Sequence, residues 1–178
     1  KLFTKEKLSS FDDLKGMKIR APEIEGVIAG LKQVGAKPTV IPFNELYGAL
    51  QQGVVDGMAT LGNLMISQKF YEVTNYCYQN DWGIGLDKQM INVNAWDGMS
   101  KEQQSILVDT FNELEPQDFF RATADAESTN FAKWREINGA DSTPMLDASA
   151  AQRTLKPAIK DLTDDIFGAG TYDKIQSA

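Results

Sequence analysis

An α/β fold with a mostly parallel sheet, followed by long C-terminal helices, is what this sequence predicts. Two observations lead there. In the first half, short strand-like runs alternate with runs of helical period, at a spacing that implies right-handed crossovers. In the last third, long helices with apolar stripes follow, with few new strands for them to cover.

The elements read in order as follows. Met17-Lys18-Ile19-Arg20 is a short strand, ended by Ala21-Pro22. Ile24, Val27, Ile28, Leu31 and Val34 recur at helical spacing, and Gly35 supplies the stop. Lys37 to Ile41 is strand-like and Pro42 closes it. Asn44 is placed to cap a second helix through Leu46, Tyr47 and Leu50, which Gly53 terminates. Val54-Val55-Asp56 is expected as a third strand. Val73 to Tyr78 and Leu86 to Val93 then read as strands flanking a loop, Gln79 to Gly85, that contains Trp82. Ser100 with Gln103 forms a capping box for a helix carrying Ile106, Leu107, Phe111 and Leu114. Pro116 must kink that helix or start another. Phe120, Ala124, Phe131 and Trp134 continue one apolar face, and a short strand is expected near Ser142-Thr143. The tail runs through Leu155, Ile159, Leu162 and Ile166 to Gly168, with Pro157 as an expected kink. There is no internal repeat.

Composition narrows the function. The net charge is −7 with no Lys/Arg-rich stretch, so counterion release cannot drive nucleic-acid binding. An acidic surface gives an anion no long-range attraction, so an anionic ligand must be held by a local cation. The 178 residues contain no histidine, which removes the commonest general base. One cysteine, Cys77, excludes an internal disulfide and a Cys-based zinc cluster; flanked by Tyr76 and Tyr78, it reads as a buried, inert thiol. No cofactor or metal is expected. No apolar run of about 18 residues is present. The chain starts at Lys1 without Met or an apolar leader and is read as a mature or truncated product.

Three stretches carry a family resemblance. They are Asp13-Leu14-Lys15-Gly16-Met17-Lys18-Ile19-Arg20-Ala21-Pro22, the run from Pro42-Phe43-Asn44-Glu45-Leu46-Tyr47-Gly48 to Val55-Asp56-Gly57, and Gln68-Lys69-Phe70-Tyr71-Glu72-Val73 with the later Asn94-Ala95-Trp96-Asp97. In order and spacing these resemble the DctP-type solute-binding proteins of tripartite ATP-independent periplasmic (TRAP) transporters. The resemblance implies a periplasmic-binding-protein-like lobe: the second half of a two-lobed protein joined by hinge strands and a long helix, without its N-terminal lobe. It divides the chain into an α/β ligand-binding lobe at 1–98 and a helical region at 99–178, packing on that lobe and on the missing one. It implies a periplasmic protein that closes over a small organic acid and is recognised by membrane permease subunits. The helix faces left uncovered imply self-association of the shortened chain.

Within the match, Arg20 falls on the family's ligand-carboxylate arginine, and the physics agrees. A guanidinium offers parallel N–H donors to a carboxylate and stays charged. It ends a strand before a helix, where ligands sit in open α/β sheets. The competing reading is a surface arginine paired with Asp12 or Asp13. Phe43 matches a position whose ring packs on the solute; the competing reading is ordinary core. The chain departs from the family pattern at Glu23 and Thr60, where many members carry asparagines. Glu23 could accept from an amino or hydroxyl group of the ligand, or simply favour a helix N-terminus. Thr60 keeps a hydroxyl for a weaker polar contact, and Asn63 could also turn inward. Trp82 could cover an apolar part of the ligand or sit at a rim. Trp96 and Trp134 read as structural.

Two rival functions remain. A small enzyme acting on a carboxylate substrate would also use Arg20, but no phosphate loop, dinucleotide fingerprint or nucleophile elbow is present. A ligand-sensing domain of a receptor or regulator could use the same fold.

Overall fold

The computed structural model describes residues 1–81, 90–113 and 116–177, the side chains of 116–118 excepted. Among the described residues five strands form one sheet: β1 (Leu2–Thr4), β2 (Lys18–Ala21), β3 (Lys37–Val40), β4 (Gly57–Ala59) and β5 (Tyr76–Cys77), in the order β3-β2-β4-β1-β5. β2 pairs in parallel with both β3 and β4. β1 pairs antiparallel with β4 and with β5, so it alone runs against the other four. The helices are α1 (Glu25–Gln33), α2 (Leu46–Gln51), α3 (Val93–Asp97), α4 (Lys101–Glu113), α5 (Pro116–Asn138), α6 (Ala148–Phe167) and α7 (Thr171–Gln176).

Alternation along the strands divides the interior into two layers. Leu2, Ile19, Ala21 and Ala59 face a core closed by Leu31 of α1 and Ala151 of α6. Phe3, Met58 and Cys77 face the opposite core, closed by Leu46 and Leu50 of α2 and by Phe131 and Trp134 of α5. Phe3 meets Trp134 edge-on at 5.5 Å and Phe70 at 6.2 Å between ring centroids. Helices therefore cover both faces of the sheet, as parallel strands require.

Helix ends explain where the strands begin. After α1, Gly35 (φ 81°) turns left-handed while Ala36 N–H reaches the Leu31 carbonyl at 3.0 Å, a double-bonded αL cap. After α2, Gly53 (φ 74°) does the same, and Val54 N–H bonds the Ala49 carbonyl at 2.9 Å. That bond corrects the expected third strand: Val54 belongs to the cap, and the strand lies three residues on, at Gly57–Ala59. Gly57 is required there, because a Cβ would stand 2.3 Å from the Phe3 carbonyl oxygen.

Other expectations are corrected too. Asn44 does not cap α2; it lies inside a 3₁₀ turn, Phe43–Glu45, closed by Glu45 N–H on the Pro42 carbonyl, and α2 has no side-chain cap. The expected strand Val73–Tyr78 shortens to Tyr76–Cys77. β1 was not anticipated. Residues 82–89, including Trp82 and the first half of the expected strand Leu86–Val93, lie outside the described residues; Val93 itself opens α3, capped by Asn92. No strand forms at Ser142-Thr143. A 3₁₀ turn, Ala140–Ser142, leads into Pro144, which has no N–H to donate to a ladder. The Ser100–Gln103 capping box is present, with bonds of 2.9 and 3.2 Å. Pro116 is the first residue of α5, where a missing donor costs least. α6 runs through Pro157 and ends at Gly168.

Candidate functional site

The C-terminal edge of the parallel strands gathers the predicted groups. Arg20 is next to last in β2, registered against Thr39 of β3 and Met58 of β4. Its neighbours Ile19 and Ala21 enter one core, so the arginine projects from the opposite face. The residue is only 4% exposed. Nε donates to the Ile41 carbonyl at 3.0 Å, just past β3, and Nη1 donates to the Ala59 carbonyl at 3.2 Å, at the end of β4. Among the described residues no carboxylate pairs with it. Asp13 is occupied elsewhere, accepting from the backbone of Ser9 and Ser10 at 2.7 and 3.1 Å. Burial lowers the Arg20 pKa, yet a guanidinium starts high enough to stay charged.

A buried cation without a counter-charge is costly, because desolvation is not repaid by attraction. The two carbonyls hold the guanidinium in place and leave three of its five N–H groups uncommitted to them, a donor set that suits a carboxylate.

The other predicted residues sort by distance from this edge. Phe43 follows Ile41 by two positions, is 42% exposed, and presents its ring edge-on to Phe70 at 6.3 Å. It is not a core residue. Thr60 follows Ala59 directly, is half-buried, and exchanges backbone hydrogen bonds with Lys1 at 2.7 and 3.1 Å. Glu23 is exposed in the bend between β2 and α1. Asn63 is also exposed, in the 3₁₀ turn Gly62–Leu64, where its carbonyl accepts from Asn130 at 2.9 Å. Trp82 lies outside the described residues. The structure thus brings Arg20, Phe43 and Thr60 to the ends of three adjacent strands, and among the described residues Glu23 and Asn63 make no hydrogen bond or ion pair with them.

A cavity of about 750 Å³ lies elsewhere, between α6, α7 and the segment after β5, lined by Phe11, Asn80, Leu155, Lys156 and Tyr172. Cys77 is fully buried, and burial pushes its thiol up to about 12, so it is protonated at neutral pH. Among the described residues no cluster of three or more His, Cys, Asp or Glu could hold a metal ion, and no helix is long and apolar enough to cross a membrane.

The fold is thus a helix-covered, mostly parallel sheet with a buried cation at its strand ends. Residues 2–165 match the DctP model, bacterial extracellular solute-binding protein family 7, and the chain belongs to that family. It is 30% identical over 146 residues to the C4-dicarboxylate-binding periplasmic protein DctP of Vibrio cholerae, covering 82% of this chain and 40% of that protein. It is also 30% identical over 134 residues to the sialic acid-binding periplasmic protein SiaP of the same organism, covering 74% and 41%. Among solved structures, a TRAP periplasmic solute-binding protein of Desulfovibrio salexigens with bound orotic acid superimposes with a TM-score of 0.84 at 27% identity, covering 98% of this chain and 56% of that one. The chain therefore spans about half the length of these relatives.

Proposed function

We propose that this chain is the ligand-holding lobe of a TRAP-type solute-binding protein that captures a small organic carboxylate in the periplasm and delivers it to membrane permease subunits. The observation that carries the reading is Arg20: buried, fixed by two carbonyls, and without a carboxylate partner among the described residues. The ligand's carboxylate supplies the missing counter-charge. Phe43 packs against its body, and Thr60 offers a hydroxyl at the rim. The relatives support an acid ligand, since C4-dicarboxylates, sialic acid and orotic acid all carry a carboxylate. The protein acts by binding and closure rather than by chemistry: bound ligand favours a closed form that the permease recognises.

The test is a thermal-shift screen of organic acids on the full-length parent, repeated with Arg20→Ala. A ligand that binds only the folded state raises Tm by mass action, by about 2.7 kcal/mol of added stability at a hundredfold excess over Kd. One or more acids should stabilise the parent, and Arg20→Ala should remove the shift. A shift that survives Arg20→Ala unchanged places the carboxylate elsewhere.

A further inference from the structure

The segment after β4 carries Thr60 and Asn63, and α5 holds it from outside. Lys1 Nζ stands 2.9 Å from Glu127 Oε1 on α5 and 2.8 Å from Asp81 Oδ1, and it donates to the Gln79 carbonyl at 3.0 Å. The ammonium also lies 5.4 Å over the Phe131 ring, and its side chain is only 6% exposed. The backbone of the same residue bonds Thr60 in both directions. Glu127 additionally lies against Gly62, where a Cβ would come within 2.6 Å of Oε2. One turn on, Asn130 Nδ2 donates to the Asn63 carbonyl at 2.9 Å. Burial alone would lower the Lys1 ammonium, but its hydrogen bonds to Asp81 and Glu127 outweigh that and leave it raised.

We propose that Glu127, acting through Lys1 and against Gly62, is a positioning residue that sets where Thr60 stands at the ligand edge. This rests on the reading that Thr60 lines the site. The sheet alone fixes Arg20, whose two carbonyl partners sit at strand ends. Thr60 lies beyond the last residue of β4 and is held there by the backbone of Lys1, so its placement depends on what holds Lys1. An ion pair with one nearly buried member is poorly screened, and losing Glu127 leaves Lys1 with the exposed Asp81 as its counter-charge. Glu127 is thus coupled to the rim without touching the ligand.

Two measurements test it. On the chain itself, Glu127→Gln, which keeps the side chain's shape, should speed amide exchange at Thr60 and Met65 by about tenfold or more and leave β2 and β3 unchanged. Asn130→Ala should act in the same direction on Met65. Unchanged exchange at Thr60 in Glu127→Gln overturns the proposal.

On the full-length parent, orotate, succinate, N-acetylneuraminate and D-galacturonate are titrated, and the strongest binder is followed. Glu127→Gln should weaken it about five- to tenfold, and that loss should vanish in a Thr60→Ala background, as coupling through one residue requires. A loss that persists undiminished without Thr60 shows a purely structural role and overturns the proposal. If Thr60→Ala leaves binding intact while Arg20→Ala abolishes it, the positioning role falls and the arginine reading stands. If Arg20→Ala also leaves binding intact, the reading of the site falls with it.

Discussion

At the scale of single residues, Arg20 is caught between two demands, and their balance is measurable. Replacing it with Met removes a buried, uncompensated charge, which favours the fold, but strands the carbonyls of Ile41 and Ala59, which costs about 1–3 kcal/mol each. These terms oppose each other, so the ligand-free Tm of Arg20→Met should stay within roughly 5 °C of wild type while acid binding is lost. A drop of more than about 10 °C would make the arginine a structural clamp instead. Gly57 has no such slack. A methyl group there meets the Phe3 carbonyl at 2.3 Å, backbone against backbone, so Gly57→Ala should force β1 and β4 apart. Denaturant titration should show a loss above about 3 kcal/mol, or no folded protein at all. The place of Arg20 at a strand end before a helix was legible in the sequence, from Ala21-Pro22 closing the strand and the helical period that follows. Its two carbonyl anchors were not, because they depend on the register of three strands.

Among the elements, the strand that slipped is instructive. Val54 and Val55 look more strand-like than Gly57-Met58-Ala59, yet the αL cap at Gly53 takes Val54, and Val55 is buried beside the cap. Local hydrogen bonding at a helix end outweighed β-propensity. β1 went unread for another reason: three residues cannot display a period, and only pairing with β4 and β5 reveals them. The caps of α1, α4 and α6 were readable because Gly35, Ser100 with Gln103, and Gly168 are local signals.

The C-terminal helices carry an acid-sensitive pair of turns. Asp147 caps α6, and its pKa is lowered chiefly by the Ser149 N–H. Asp164 is lowered chiefly by the Tyr172 N–H that ties α7 to α6, against an opposing effect of burial. A depressed carboxylate contributes stability above its unfolded pKa of about 3.9 and loses it as pH falls through the folded value. Far-UV helicity should therefore fall as pH drops below about 4. In Asp147→Asn/Asp164→Asn, which keeps acceptors without a titrating proton, that fall should be shallower. An identical acid profile in the double variant would show that these two turns do not set it.

Over the whole molecule, the sequence told more about architecture than about the site. Alternating strands and helices gave the parallel sheet, and the apolar faces of the late helices foretold a surface with too little to cover it. Ile106, Val108 and Phe111 of α4 and Phe119 and Phe120 of α5 are all exposed. Aromatic and branched side chains left open in this way favour association. The chain alone should sediment with a weight-average mass that rises with concentration, and Ile106→Lys with Phe111→Lys should lower it. A monomer at every concentration would remove that expectation. Site specificity was the least legible part, because only the register of three strands sets Phe43 and Thr60 at the same sheet edge as Arg20.

The most direct measurement is a crystal structure of the full-length parent with an acid that shifts its Tm. The account predicts a ligand carboxylate bonded to the Arg20 guanidinium at about 2.7–2.9 Å, with Ile41 and Ala59 still holding Nε and Nη1. A carboxylate held elsewhere, with Arg20 facing a glutamate or aspartate of the protein itself, would contradict it.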